Sequence, residues 1–341
     1  MMGRLGTMPA DPQKQILQGS ERGEKTFSFS ERDPCVPTQW WWQQEAEGPV
    51  LFAVFYTRAC RWNRCLGCNL PATSSLNHIH YRDIMAQIDH LFAIDEVKTR
   101  AQEIHKLIVS NNGSVLDQLT VPTTALFYLL ARINTLLPNL GVLSIETRAE
   151  YVEWDELSYI ARALEERDHR AELELAIGFE AFDDRIRNQV FHKGLSLKTF
   201  EDLVDLMSPY RYRLKCYFML KPVMGISDDE AVTDIHRAID YLHEQATRSG
   251  VRINLHLNPT YVAHGTQLEP AFASGLFVPP TLGDVARAAR HARGKNLSVY
   301  LGLFDEGLAV PGGSFLREGD EPLRERLEAF NRTQDFALLE P

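Results

Sequence analysis

Seven short apolar stretches, each leading through a polar turn towards a helical pattern, leave this chain few folds to choose from. Strand patterns run over Val50–Tyr56, His105–Val109, Gly141–Glu146, Glu172–Gly178, Arg213–Leu220, Arg252–Leu257 and Leu297–Leu303. They are rich in Val, Ile, Leu, Phe and Tyr and read as mostly continuous apolar runs, the pattern of strands buried on both faces. Helical patterns lie between them at Ala125–Leu137, Trp154–Glu166, Thr199–Met207 and Asp229–Ser249. The last has Ser227 as N-cap, Glu230 three residues on, and Gly250 as its stop. Alternation repeated six or seven times predicts parallel β/α units, in a doubly wound sheet or a barrel. With 341 residues, 44% of them hydrophobic, the chain is large enough for one such domain with a sizeable core.

The boundaries drawn on this pattern are an N-terminal extension over 1–48, a catalytic unit over 49–305 and a C-terminal extension over 306–341. The first is polar and mixed in charge, a loose segment pinned near Trp40, Trp41 and Trp42, which suit a short edge strand. The last carries a Gly-Gly turn and a charged helical stretch, placed to close the open side of a barrel.

Reactive groups in parallel β/α folds gather at the carboxyl ends of the strands, and polar residues fall at those ends here. They are Ser110-Asn111-Asn112-Gly113-Ser114, Glu146-Thr147-Arg148, Gly178-Phe179-Glu180, Lys221-Pro222 and Asn258-Pro259. The first strand ends in a loop with Cys60, Cys65 and Cys68, three of the five cysteines in the chain, spaced C-x4-C-x2-C. Three thiolates so close suit one soft metal centre or an iron–sulfur cluster, and three ligands on a four-iron cluster leave one iron open. A structural zinc site is the alternative; it needs a fourth ligand, for which His78 or His80 is near enough in sequence. Cys35 reads as a structural or idle thiol, and Cys216, flanked by Leu214 and Phe218, as a core residue.

These segments together resemble the radical S-adenosylmethionine (SAM) superfamily, in its Elongator-catalytic-subunit and coproporphyrinogen-oxidase-like branch. The resemblance rests on TRACRWNRCLGCN, VSNNGSVLD, LSIETRAEYV, LAIGFEAFDDRIRNQVFHKGLSLKTF and FMLKPVMGISDDEAVTDI, in that order over roughly residues 50 to 260. The NNGSVLD…VP and ETRAEYV segments are most similar to the radical enzymes of archaeosine tRNA formation and their relatives. The resemblance implies a partial (β/α)6 TIM-like barrel with a [4Fe–4S] cluster on Cys60, Cys65 and Cys68. SAM bound at the open iron would be cleaved to methionine and a 5′-deoxyadenosyl radical, which takes hydrogen from substrate. By the same resemblance Ser110, Asn111, Asn112, Gly113 and Ser114 face the methionine amino group, Glu146 and Arg148 the ribose and carboxylate, and Glu180 the cofactor or substrate. Lys193, Lys221 and His256 are the substrate candidates. Two departures stand out. The usual first gap is one residue shorter, and the residue before the last cysteine is usually bulky where this chain has Gly67. Cover for the adenine then falls to Tyr56 or Trp62.

Composition narrows the partners. The formal charge of −10, from 36 basic and 46 acidic residues, argues against a surface that coats nucleic acid. Local basic groups remain: Arg58, Arg61 and Arg64 around the cysteines, and Arg211, Arg213 and Lys215 further on. No run approaches the roughly 18 apolar residues of a membrane span, and the first 25 residues lack a signal peptide's apolar core, so the expected setting is the reducing cytoplasm. A flavodoxin or ferredoxin is the expected reductant. A nucleobase in tRNA, or a free small molecule, peptide or natural product, is the expected substrate. A zinc-bound module without catalysis is the remaining alternative.

Overall fold

A computed structural model describes residues 11–210 and 212–340. One sheet of eight strands runs in sequence order: β1 Gln39–Glu45, β2 Gly48–Val54, β3 Lys106–Ser110, β4 Val142–Thr147, β5 Glu172–Glu180, β6 Arg213–Leu220, β7 Arg252–Pro259 and β8 Ser298–Leu301. β1, which holds the three tryptophans, pairs antiparallel with β2 as the expected edge strand, and the other pairings are all parallel. Ten helices are described: α1 Pro12–Arg22, α2 Tyr81–Ala93, α3 Asp95–Thr99, α4 Thr123–Leu136, α5 Trp154–Glu165, α6 Leu197–Met207, α7 Asp228–Ser249, α8 Leu268–Ala273, α9 Leu282–Arg290 and α10 Glu321–Thr333. The capping box of α7 forms as the sequence predicts, with Ser227 and Glu230 satisfying each other's backbone N–H groups and Gly250 at φ 73°. Such a cap is worth about 1 kcal/mol.

The sheet is curled into a partial barrel. Glu45 on β1 lies 2.8 Å from Lys215 on β6. Five strand spacings would put them roughly 24 Å apart in a flat sheet. The barrel stays open between β1 and β8, and α10 packs against both of these edge strands.

The two faces of the sheet differ sharply, contrary to the continuous apolar reading of the strands. Outward residues such as Leu107, Ile145, Leu175, Phe179, Leu214, Cys216, Phe218 and Leu255 form the main core with the helices. Each such side chain, fully buried, contributes about 1.5–3 kcal/mol. Inward positions on the same strands carry Lys106, Ser110, Ser144, Glu146, Glu174, Lys215, Tyr217, His256 and Tyr300, and β2 adds an apolar plug of Val50, Phe52 and Val54 with Trp41. Alternation with period two therefore sorts an oily shell from a polar lumen.

The N-terminal region is more structured than a loose extension. Asp11 caps α1 and Pro12 opens it; Ile16 is fully buried, and Gly19 packs against the backbone of Trp62. The first ten residues lie outside the described ones.

Candidate active site

A cavity of about 660 Å³ opens at the carboxyl ends of the parallel strands, with Cys60, Cys65 and Cys68 on one wall. The cysteine loop is pinned at both ends. Ala59 donates its N–H to the Ser75 carbonyl at 2.7 Å, and Leu66 to the Phe191 carbonyl at 2.9 Å. Within it, Arg61 pairs with Asp117 through Nε at 2.6 Å and Nη2 at 2.8 Å. Trp62 donates to the His192 carbonyl at 2.7 Å, and the Arg64 and Arg148 guanidiniums lie 3.8 and 4.5 Å from its ring centre. Arg58 donates to the Leu119 carbonyl at 3.0 Å. These arginines thus hold the loop in shape.

Burial pushes the thiols of Cys65 and Cys68 up, the latter to about 12, while Lys193 and Arg148 act the other way on the first and Lys25 on the second. A buried thiol stays neutral until a metal takes the place of its proton. The set fits a thiolate-bound iron–sulfur cluster: three soft donors share one wall, with cationic side chains of Lys25, Arg148 and Lys193 close by. Among the described residues no three His, Cys, Asp or Glu side chains converge tightly enough for a single metal ion. His80 instead caps α2 by accepting from the Arg82 N–H, and neither it nor His78 lines the cavity.

The polar strand ends divide into lining and scaffold. Ser110, Asn112 and Gly113 line the cavity, and Gly113 passes so close to Cys60 that a Cβ there would sit 3.2 Å from the cysteine Cα. Asn111 is turned into the fold, donating to Thr57, Thr120 and the Ser114 carbonyl, while Ser114 Oγ accepts from the Arg148 N–H at 3.1 Å. Glu146 lines the cavity and accepts from Tyr217 Oη at 2.5 Å. Burial raises its pKa, against the opposing hydrogen bonds from Ser110 and Tyr217. Arg148 also lines the cavity; it pairs with Glu150 at 2.5 Å and donates to the Lys193 carbonyl at 2.9 Å. Glu180 and Lys193 face the cavity as an ion pair at 2.8 Å. A side chain on Gly178 would collide with both of them.

Of the substrate candidates, His256 lies between the rings of Tyr217 and Tyr300, 4.6 and 4.7 Å from their centres. Burial, with Lys215 nearby, drives its pKa well below the usual histidine range, and its Nδ1 has no partner among the described residues. Lys221 is not brought to the site. It pairs with Asp228 at the start of α7, 2.7 Å away, and does not line the cavity. Asn112, Glu180, Lys221 and Glu306 take the left-handed φ values of 57, 74, 63 and 58°. Of these, Asn112, Glu180 and Glu306 line the cavity.

Four lining or adjoining residues escape the sequence reading: Tyr217, Tyr300, Glu306 and Lys25. Burial and Glu146 raise the Glu306 carboxyl to about 7. Tyr56 and Trp62 do not line the cavity; Tyr56 donates to the Ser30 carbonyl at 2.6 Å. The space a bulky residue would fill at Gly67 is bounded by Leu268, 3.0 Å from where a Cβ would sit, and by Phe191. The second basic cluster also dissolves: Arg213 pairs with Glu47 and Glu172, Lys215 points into the lumen, and Arg211 lies outside the described residues.

A partial parallel barrel with a three-cysteine loop after its first parallel strand is the arrangement that the resemblance to radical SAM enzymes implies. No family model matches the sequence. The chain is 25% identical over 321 residues, 90% of its length and 84% of the relative's, to uncharacterized protein MJ0550 of Methanocaldococcus jannaschii. It is 26% identical over 249 residues, 72% of its length and 67% of the relative's, to archaeosine synthase subunit beta of Methanosarcina acetivorans. Among solved structures, queuine lyase from Clostridium spiroforme bound to SAM and queuine is 15% identical, covering 77% of this chain and 95% of that one at a TM-score of 0.48. The likeness to archaeosine synthase subunits agrees with the branch read from the sequence motifs. Among the described residues no helix is long and apolar enough to cross a membrane.

Proposed function

We propose that this chain is a radical SAM enzyme that carries a [4Fe–4S] cluster on Cys60, Cys65 and Cys68 and modifies a nucleobase in tRNA. The observation that carries the reading is the meeting of these three thiols with Glu146, Arg148 and the Glu180–Lys193 pair around one cavity at the strand ends. When bound, the cluster and SAM supply a 5′-deoxyadenosyl radical, and the protein supplies position and shielding.

Ser110, Asn112 and Gly113 offer hydroxyl, amide and backbone groups to the methionine end of SAM, with Asn111 and Ser114 bracing that turn. Arg148 faces the carboxylate and Glu146 the ribose, and Glu180, held by Lys193, faces the cofactor or substrate. Neutral His256 presents hydrogen-bonding groups deeper in the cavity, where Tyr217 and Tyr300 give flat faces for a base. The barrel over 49–305 is the catalytic unit, and residues 306–341 close its open side. A flavodoxin or ferredoxin in the cytoplasm serves as reductant.

The tRNA reading is supported by similarity to archaeosine synthase subunits. The same chemistry on a free small molecule is the second reading, favoured by the net charge of −10. The test is anaerobic incubation of reconstituted protein with SAM, dithionite and tRNA, followed by chromatography for 5′-deoxyadenosine. Formation that rises with tRNA, together with binding that weakens steeply with salt, supports the first reading. No tRNA binding even at low salt sinks it in favour of the second.

A further inference from the structure

Lys25 sits 40 residues before Cys65 and 43 before Cys68, in a segment that carries no cysteine, yet its ammonium is built into the cysteine loop. Its Nζ lies 2.5 Å from the Cys65 carbonyl, 2.5 Å from the Cys68 carbonyl and 3.5 Å from that of Leu66. The turn between the two cysteines therefore has its carbonyl groups gathered on a single cation. The Cys68 N–H donates to the Cys65 carbonyl at 3.2 Å, which closes the same turn.

The segment is held on both sides of Lys25. Asn63, inside the cysteine loop, donates to Ser20 Oγ at 2.7 Å and to the Ile16 carbonyl at 3.3 Å, and Arg61 donates to Gln15 at 3.0 Å. After Lys25, the Thr26 N–H donates to the Gly265 carbonyl at 3.0 Å. The flanking contacts fix the backbone that carries Lys25; ordering its long side chain still costs rotamer entropy, which its charge-assisted hydrogen bonds, stronger than neutral ones, offset. Burial weighs against the ammonium form of Lys25; the Cys65 and Cys68 carbonyls, each 2.5 Å away, compensate it.

We propose that Lys25 is a positioning residue for the metal centre: it locks the Cys65–Cys68 turn in its ligating shape and sets a positive charge beside the thiolates. The inference rests on the cluster reading above. Groups that orient metal ligands commonly change metal affinity by about 10- to 100-fold when removed. A nearby positive charge also favours the reduced, more negative state of a cluster.

The experiment reconstitutes wild type, Lys25→Met, Lys25→Gln and Lys25→Arg anaerobically. It measures iron and sulfide content, the rate of iron loss to a chelator, and the midpoint potential by redox titration, with circular dichroism to check folding. The expected result is about 10-fold faster iron loss for K25M and K25Q, a more negative potential, and recovery of both in K25R. Glutamine retains a donor for one carbonyl without the charge, so it separates loss of charge from loss of fold if the methionine variant collapses. Unchanged potential and iron retention in folded K25M or K25Q would overturn the inference and leave the cluster reading standing. A wild-type protein that takes up no iron would instead overturn the cluster reading, and the inference with it.

Discussion

Charged side chains occupy both ends of the barrel lumen, and the two ends treat them differently. At the floor, Glu45 pairs with Lys106 at 3.1 Å and Lys215 at 2.8 Å, while Glu174 pairs with Lys106 at 2.7 Å and accepts from Ser144 at 2.8 Å. Two acids and two bases close on one another. At the mouth, Glu180 pairs with Lys193 at 2.8 Å and Arg148 with Glu150 at 2.5 Å, but Glu146 accepts only from neutral groups, no ion pair holds Glu306 among the described residues, and His256 Nδ1 has no partner. A closed network of buried charges is a device for holding strands together, whereas a half-satisfied one costs stability and is kept where a ligand completes it. The same strands supply both ends, so position along the strand decides which use a charge is put to.

The largest expected difference concerns metal. Cys65→Ala should lose the cluster, measured as iron content, while circular dichroism stays close to wild type because the loop lies outside the main core. Cys216→Ala, on the outward face, should keep its iron and cost about 1–2 kcal/mol of stability. A Cys65→Ala protein fully loaded with iron would break the assignment of the mouth.

Stability comes next. Lys215→Met leaves Glu45 and Glu174 to share Lys106, and breaking such a buried network costs about 3 kcal/mol. Glu306→Gln should stay within about 1 kcal/mol of wild type or gain stability. Urea midpoints compare the two, and equal losses would erase the distinction between floor and mouth.

The pH dependence has opposite signs at the two ends. Despite the cost of burial, Lys215 and Lys106 hold Glu45 well below the usual carboxylate range, and Lys106 with Lys215 lowers Glu174. Their contribution is present above the unfolded value of about 4.3 and is lost as pH falls through the depressed folded values. Glu306, raised to about 7 by burial and Glu146, contributes stability below about 4.3 that is lost as pH rises through about 7. Glu306→Gln should therefore gain on wild type between pH 5 and pH 8, and Glu174→Gln should lose most at pH 8 and less below pH 4. Denaturation at these pH values checks both signs.

The smallest effect belongs to Lys221→Met. Its pair with Asp228 is partly exposed, so a loss under about 1 kcal/mol is expected, with SAM binding unchanged in equilibrium dialysis. Weakened binding would bring Lys221 back to the site.

The strands and much of the mouth were legible in the sequence, the floor was not, and the illegible part has definite causes. The parallel strands, the edge strand of tryptophans and the polar strand ends follow from local pattern, and Ser227 and Gly250 mark α7 by capping chemistry alone. The lumen did not stand out, because Lys215 and Tyr217 lie within a stretch whose apolar neighbours Leu214, Cys216 and Phe218 dominate it. Glu45 meets Lys215 only through the curl of the sheet, which no local pattern encodes. Helix α1 had its signals in Asp11, Pro12 and Gly23, but only Ile16 and Leu17 supply large apolar side chains, too few for a visible period. Lys25 reaches the cysteines through that helix, so its place was hidden for the same reason. The left-handed backbone at Glu180 and Lys221 has no sequence mark at all.

The central claim is that Cys60, Cys65 and Cys68 hold a four-iron cluster with one iron open to SAM. Electron paramagnetic resonance of the dithionite-reduced, reconstituted protein, recorded with and without SAM, tests it most directly. The expected result is a reduced [4Fe–4S] signal, absent from a Cys60, Cys65 and Cys68 triple alanine variant, that shifts when SAM is added. A protein that binds one zinc tightly and gives no such signal, or a cluster signal indifferent to SAM, would contradict it.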